Sequence, residues 1–185
     1  DGMSYSDRAG ENANAALLVT IRPEDVPFQG VLGGMYWQRQ IEQAAFDAGG
    51  RNYHAPAQTV GDFLADRPSA NCGAVTPTYR PGVHWCDLHY VLPVKLTRAM
   101  EEALPLMDEK LRGFAAPEAV LTAPETRSSS PVKILRDESR QCNIRGLYPT
   151  GEGAGYAGGI MSAAVDGIRV AQAILARYKR VGENQ

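Results

Sequence analysis

The stretch Gly146-Leu147-Tyr148-Pro149-Thr150-Gly151-Glu152-Gly153-Ala154-Gly155-Tyr156-Ala157-Gly158-Gly159-Ile160 joins a short extended pattern to a long helical one. Five of the nine residues from Gly151 to Gly159 are glycine. Glycine lets backbone approach a ligand without interference from a Cβ, and the first turn of a helix offers unpaired N–H groups and the positive end of the dipole. In outline this is an anion site, suited to a dinucleotide phosphate or a flavin ring carrying partial negative charge. Gly153, Gly155 and Gly158 form a GxGxxG, which opens a Rossmann unit when a second strand and an acidic residue follow. Here the helical pattern runs to about Val181, so the loop is expected to be the last strand and helix of a split domain whose first part lies upstream.

Working outward, the terminal helix places Ile160, Ala164, Ile168, Ala171, Leu175 and Tyr178 on one face. Met161, Val165, Val170 and Ile174 fall close to the opposite face, which predicts burial on more than one side. Short strands are predicted at Ala16 to Ile21, Ala119 to Thr122, Val132 to Leu135 and Leu147 to Pro149. A helix is predicted over Gly33 to Ala48, with Gly49-Gly50 as its stop. A second follows Pro93 with Leu96, Met100, Leu104, Met107 and Leu111 as its stripe, kinked or divided at Pro105. Prolines between Ala55 and Leu92 point to loops and small elements.

Beyond the glycine loop, the run Glu125-Thr126-Arg127-Ser128-Ser129-Ser130-Pro131-Val132-Lys133-Ile134-Leu135-Arg136-Asp137, continued by Gly146 to Ile168, resembles the carboxyl-terminal signature of a bacterial family of FAD-dependent oxidoreductases. These are NAD(FAD)-utilising dehydrogenases within the two-dinucleotide-binding-domain flavoprotein superfamily. Arg8 to Val19, Gly50 to Gln58 and Val60 to Leu64 are similar to the same family. The resemblance implies an α/β fold, in detail an α+β piece of it. Residues 1–117 are expected to form an inserted substrate-side α+β domain. Residues 118–185 are expected to supply the last strands and terminal helix of a split Rossmann-like FAD domain. The family's amino-terminal FAD half is absent from this sequence, so the chain is expected to be an inactive piece of a parent enzyme.

The resemblance also assigns roles. Gly151-Glu152 matches a Gly-Asp pair that hydrogen-bonds the ribityl chain in this superfamily, with Glu in place of Asp. Gly153, Gly155 and Ala157 let backbone approach the flavin, Tyr156 covers it, and the amides of Gly158, Gly159 and Ile160 face its pyrimidine edge. Helix N-termini stabilise negative charge there. The alternative for the loop is a tight strand-to-helix turn with no ligand. Between two predicted strands, Arg127 offers a cation that cannot lose its charge, and Glu125 a proton donor if burial raises its pKa. The competing reading of these two is a solvated turn.

The implied cofactor is FAD, with NAD(P)H as a candidate electron donor and a small molecule of unidentified class as substrate. Net charge of −2 and a pI near 5.9 argue against nucleic-acid binding. No run approaches the length needed to span a bilayer, and three separated cysteines give neither a disulfide framework nor a CxxC pair, so a reducing cytoplasm is expected. Cys72, His84, Cys86 and His89 do not match structural zinc spacing, and no metal site is expected. The second function class is a non-catalytic binding or oligomerisation module, and the terminal helix, with apolar residues all round, predicts that the isolated chain is dimeric, swapped or partly disordered near its glycine loop.

Overall fold

A computed structural model describes residues 6–178. They contain four α-helices and one small mixed sheet: α1 (Gly33–Ala48), β1 (Ala55–Thr59), α2 (Val60–Leu64), β2 (Val83–Trp85), α3 (Val94–Lys110), β3 (Val120–Thr122) and α4 (Ile160–Arg177). Helices with a three-stranded sheet make this an α/β or α+β arrangement, as expected. Two compact units are present: one of residues up to Asp25 with Gln38–Glu125, the other of Val26–Trp37 with the residues from Thr126 onward. Helix α1 contributes its first turn to the second unit and its remainder to the first.

In the first unit β1 is the central strand. It pairs in parallel with β2, Ala55 opposite Val83 and Ala57 opposite Trp85, and antiparallel with β3, Ala57 opposite Thr122 and Thr59 opposite Val120. Its sequence, Ala-Pro-Ala-Gln-Thr, is a poor strand former, and burial accounts for it: Ala57 and Gln58 are fully buried. Small residues let neighbouring segments close over the strand, and Gln58 links two of them. Its amide nitrogen donates to the Arg67 carbonyl at 2.8 Å, and its amide oxygen accepts the Leu88 N–H at 2.8 Å. Thr59 then caps α2, its hydroxyl accepting the Asp62 N–H, while the Ser69 hydroxyl accepts the Thr59 N–H and donates to Asp62. Phe63, Leu88 and Leu104 are buried in this unit, as are Ile41 and Ala45, one turn apart on α1.

Helix α1 has the bounds predicted for it, and Gly50, at φ +90°, is the turn that ends it. Helix α3 is not divided at Pro105. Proline removes one N–H, and the remaining ladder with buried Met100 and Leu104 keeps the helix continuous. Three predicted strands do not form. Ala16 to Ile21, Val132 to Leu135 and Leu147 to Pro149 lack a strand ladder, because an apolar, extended pattern gives a strand only where a neighbour supplies hydrogen bonds. Helix α4 begins at Ile160 as predicted, and the positions beyond Tyr178, where helix was expected to continue to Val181, lie outside the described residues. The expectation of burial all round it is corrected. Ile160, Met161, Ile168 and Leu175 are exposed, and the buried positions of the helix are Asp166 and Val170. Among the described residues no helix is long and apolar enough to cross a membrane.

The double link through Gln58 gives a direct test. Gln58→Leu keeps the bulk but strands a buried N–H at Leu88 and a carbonyl at Arg67. It is expected to destabilise the chain by about 2–3 kcal/mol, read as a lower midpoint in urea unfolding.

Candidate functional site

A carboxylate inside an apolar helix organises the second unit. Asp166, on the second turn of α4, receives five donors. Arg136 grips it with both terminal nitrogens, at 2.9 and 2.6 Å; Arg140 adds a longer contact at 3.3 Å; the Gly151 N–H and Thr150 hydroxyl complete the set at 2.9 and 3.1 Å. Arg136 also donates to the Pro149 carbonyl at 2.7 Å, so one guanidinium ties the start of the glycine loop to α4. The two side chains are 7% and 11% exposed, which puts the pair out of water and leaves each dependent on the other. The Arg136 hydrogen bonds hold the Asp166 carboxyl far below the usual carboxylate range; burial opposes this, and the Gly151 amide and Thr150 hydroxyl reinforce it. The same pairing raises the pKa of Arg136.

The loop then folds on itself. Gly151 and Gly155 have φ of +69° and +80°, a region other residues enter with strain, and the Gly155 and Tyr156 N–H groups donate back to Glu152 and Gly151 carbonyls. Gly155 also has no room for a side chain, since a Cβ would stand 2.6 Å from the Val132 carbonyl oxygen. The segment predicted as a strand at Val132 to Leu135 instead braces this loop: the Ile134 N–H donates to the Ala154 carbonyl, and the Ser130 hydroxyl lies within bonding distance of the Gly153 and Val132 carbonyls. Tyr156 donates its hydroxyl proton to the Ile134 carbonyl, and the Arg136 guanidinium lies 3.6 Å from its ring centre, with the Lys133 ammonium at 4.7 Å.

Gly153, Gly158 and Gly159 are different. Their φ values are not in the left-handed region, and a Cβ at Gly153 or Gly158 would meet nothing within 4 Å. At Gly159, the N-cap of α4, it would meet the Ser162 hydroxyl at an ordinary 3.8 Å. The chain's own conformation therefore accounts for glycine at Gly151 and Gly155, and leaves Gly153 and Gly158 with open space and Gly159 with no more than an ordinary contact in the run that leads into the helix. Open backbone next to unpaired helix N–H groups admits a flat ring carrying partial negative charge, and nothing at these positions obstructs a flavin.

The expected cofactor-side residues, Gly151, Glu152, Gly153, Gly155, Tyr156, Ala157, Gly158, Gly159 and Ile160, form this continuous loop and helix start. Glu125 and Arg127, the expected catalytic pair, are both exposed; Glu125 ends the first unit and Arg127 lies in the second. Asp166 and Arg136 escaped the sequence reading. The available signal was one acidic residue in the otherwise uncharged run Ile160 to Ile168.

A family model described as "FAD-dependent protein, C-terminal domain-like" matches residues 1–128. The chain belongs to this family. The matched residues end before the glycine loop, so the family assignment and the loop geometry are separate observations. A protein of Clostridium beijerinckii described as "Uncharacterized protein" is 49% identical over 179 residues, which cover 96% of this chain and 34% of that protein. The chain spans about a third of the length of this curated relative.

Asp166→Asn tests the central pair. It leaves Arg136 buried opposite a neutral group and is expected to cost about 3 kcal/mol near neutral pH. Because the folded carboxyl titrates below its unfolded value of about 4, the stabilisation is present above that value and is lost as pH falls beneath it. Urea unfolding should give a constant difference between the two proteins above about pH 5 and a shrinking one below about pH 4.

Proposed function

We propose that this chain is the carboxyl-terminal part of a flavin-dependent oxidoreductase, contributing the flavin-side glycine loop and helix start together with part of the substrate cavity. Membership of an FAD-dependent family supports the cofactor. The observation that carries the reading is the open backbone at Gly153 and Gly158, with Gly159 capping α4, in a run where no internal contact calls for glycine. When bound, the flavin supplies hydride or electron transfer. The chain's own residues position and polarise it. The amides opening α4 favour negative charge, and the Asp166–Arg136 pair fixes the loop on the helix. Arg136 and the Ile134 carbonyl hold Tyr156 in place as a covering ring. On the substrate side Arg127 would clamp an anionic group and Glu125 would donate a proton.

The whole parent protein is the material for the test. Purified without added cofactor, it is expected to show flavin absorption bands, and anaerobic addition of NADH and NADPH should identify the electron donor by bleaching them. Gly158→Val, placed where this chain has space, should lower the flavin retained without loss of folding, whereas Gly155→Val should unfold the loop. A colourless parent that takes up no added FAD would overturn the proposal.

The exposed face of α4 favours a second property for the chain in isolation. Ile160, Met161, Ile168 and Leu175 are 90%, 75%, 59% and 66% exposed. An apolar surface of this kind drives association, so the isolated chain is expected to dimerise. Sedimentation velocity should show a concentration-dependent shift that Ile168→Glu removes, and a monomer at all concentrations would refute it.

A further inference from the structure

In the first unit one imidazole is held among three carboxylates. His89 Nδ1 lies 2.7 Å from Asp87 Oδ1 and 3.8 Å from Asp66 Oδ1, and Nε2 lies 2.8 Å from Glu101 Oε1. The ring is stacked on Phe63, with centroids 4.6 Å apart and planes 15° from parallel, so its orientation is fixed by packing as well as by hydrogen bonds. The Asp87 carboxylate is anchored too, since it accepts the His89 N–H at the start of the 3-10 turn Leu88–Tyr90. His89, Asp66 and Glu101 line a groove of about 670 Å³ with Leu64, Thr97 and Arg98.

We propose that His89, Asp87 and Asp66 form a binding site for a zinc-class divalent cation, with Glu101 as the outer carboxylate that orients the imidazole. The ligand-capable atoms of the three residues lie within 4.8 Å of one another. Around a tetrahedral ion with bonds of about 2.0–2.1 Å, neighbouring ligand atoms stand about 3.3 Å apart. The Nδ1 separations of 2.7 and 3.8 Å bracket that spacing, so on the imidazole side closing on an ion asks Asp87 to open and Asp66 to approach by about half an ångström each. The residue that must move most is free to do so, because the Asp66 side chain is 85% exposed while His89 and Asp87 are 17% and 10% exposed.

The second carboxylate contact points the same way. A metal-bound histidine commonly donates its other ring N–H to a carboxylate, which fixes the tautomer and makes the ligating nitrogen more basic. Glu101 stands at Nε2 in this position, leaving Nδ1 for the ion, which takes the place of a proton there. Charge agrees with this. With the ring protonated the four side chains still carry two negative charges in excess, and Arg98 is the permanent cation among the described residues lining the groove. One imidazole with two carboxylates suits zinc, cobalt or nickel rather than magnesium or calcium, which prefer all-oxygen shells. Three protein ligands leave a fourth position, as in sites that hold an exchangeable water or ligand.

The sequence offered no such site because His84, Cys86 and Cys72 are the ligands that spacing rules notice. Here Asp87 lies two residues before His89, whereas Asp66, just past α2, and Glu101, in α3, are brought to it only by the fold.

The test is calorimetric titration of zinc chloride into the full chain after chelator treatment, at fixed pH. One equivalent is expected to bind. Asp66→Asn, a change at an exposed side chain, should weaken it by more than about 10-fold with an unaltered circular dichroism spectrum, and Glu101→Gln by about 10-fold or more. Cobalt substituted for zinc should give weak visible bands without the intense thiolate charge-transfer absorption that Cys72 or Cys86 would produce. Zinc binding of undiminished affinity in Asp66→Asn, a thiolate band with cobalt, or no zinc uptake by the native chain would each overturn the proposal.

Discussion

The second unit depends on a buried carboxylate and the guanidinium that grips it. Asp166 joins α4 to residues that precede the glycine loop, through Arg136 and Arg140, and to the loop itself, through Thr150 and Gly151. Removing water from both groups is costly, and their bidentate geometry with extra donors offsets that cost. With the loop's origin fixed, its two left-handed glycines and its internal turn lead the chain to the open glycines that precede the helix. The proposed cofactor site thus rests on a buried contact outside the loop's open glycines.

A comparable division of labour is seen in the first unit, where fully buried Gln58 binds the Arg67 carbonyl and the Leu88 N–H. Leu88 opens the 3-10 turn that carries His89, and Arg67 follows Asp66. One neutral side chain in the central strand therefore bears on the two segments that bring His89 and Asp66 together. Polar residues, rather than apolar bulk, set the positions of the chemistry-bearing groups in both units.

Helices α1, α3 and α4 were legible because their stripes, glycine stops and leading proline are local signals. The start of α4 at Ile160 followed from the glycine run alone. Strands were less legible. Val132 to Leu135 has the right residues, but a strand is a relation between segments, and here the neighbouring segment is a glycine loop that accepts one hydrogen bond. In β1 the error has the opposite sign: Ala-Pro-Ala-Gln-Thr has little strand propensity and becomes the centre of the sheet because its neighbours enclose it. The Asp166 pair was hidden for a related reason, since 30 residues separate its members and no spacing rule joins them. Glu125 and Arg127 drew attention as neighbouring polar residues, both exposed, whereas the buried arginine that grips Asp166 lies nine positions beyond Arg127.

Large apolar side chains cover a wide arc of α4, from Val170 through Ile160 to Val165, so apolar packing alone sets its rotation about its own axis only loosely. Asp166 removes that freedom. Its carboxylate must meet Arg136, so the angular setting of the whole helix is dictated at one point, and with it the direction in which Ile160, Ile168 and Leu175 are displayed. Polarity inside an oily helix thus acts as a key in a keyway: transplanting α4 into another scaffold without Arg136 would carry over its composition and lose its orientation.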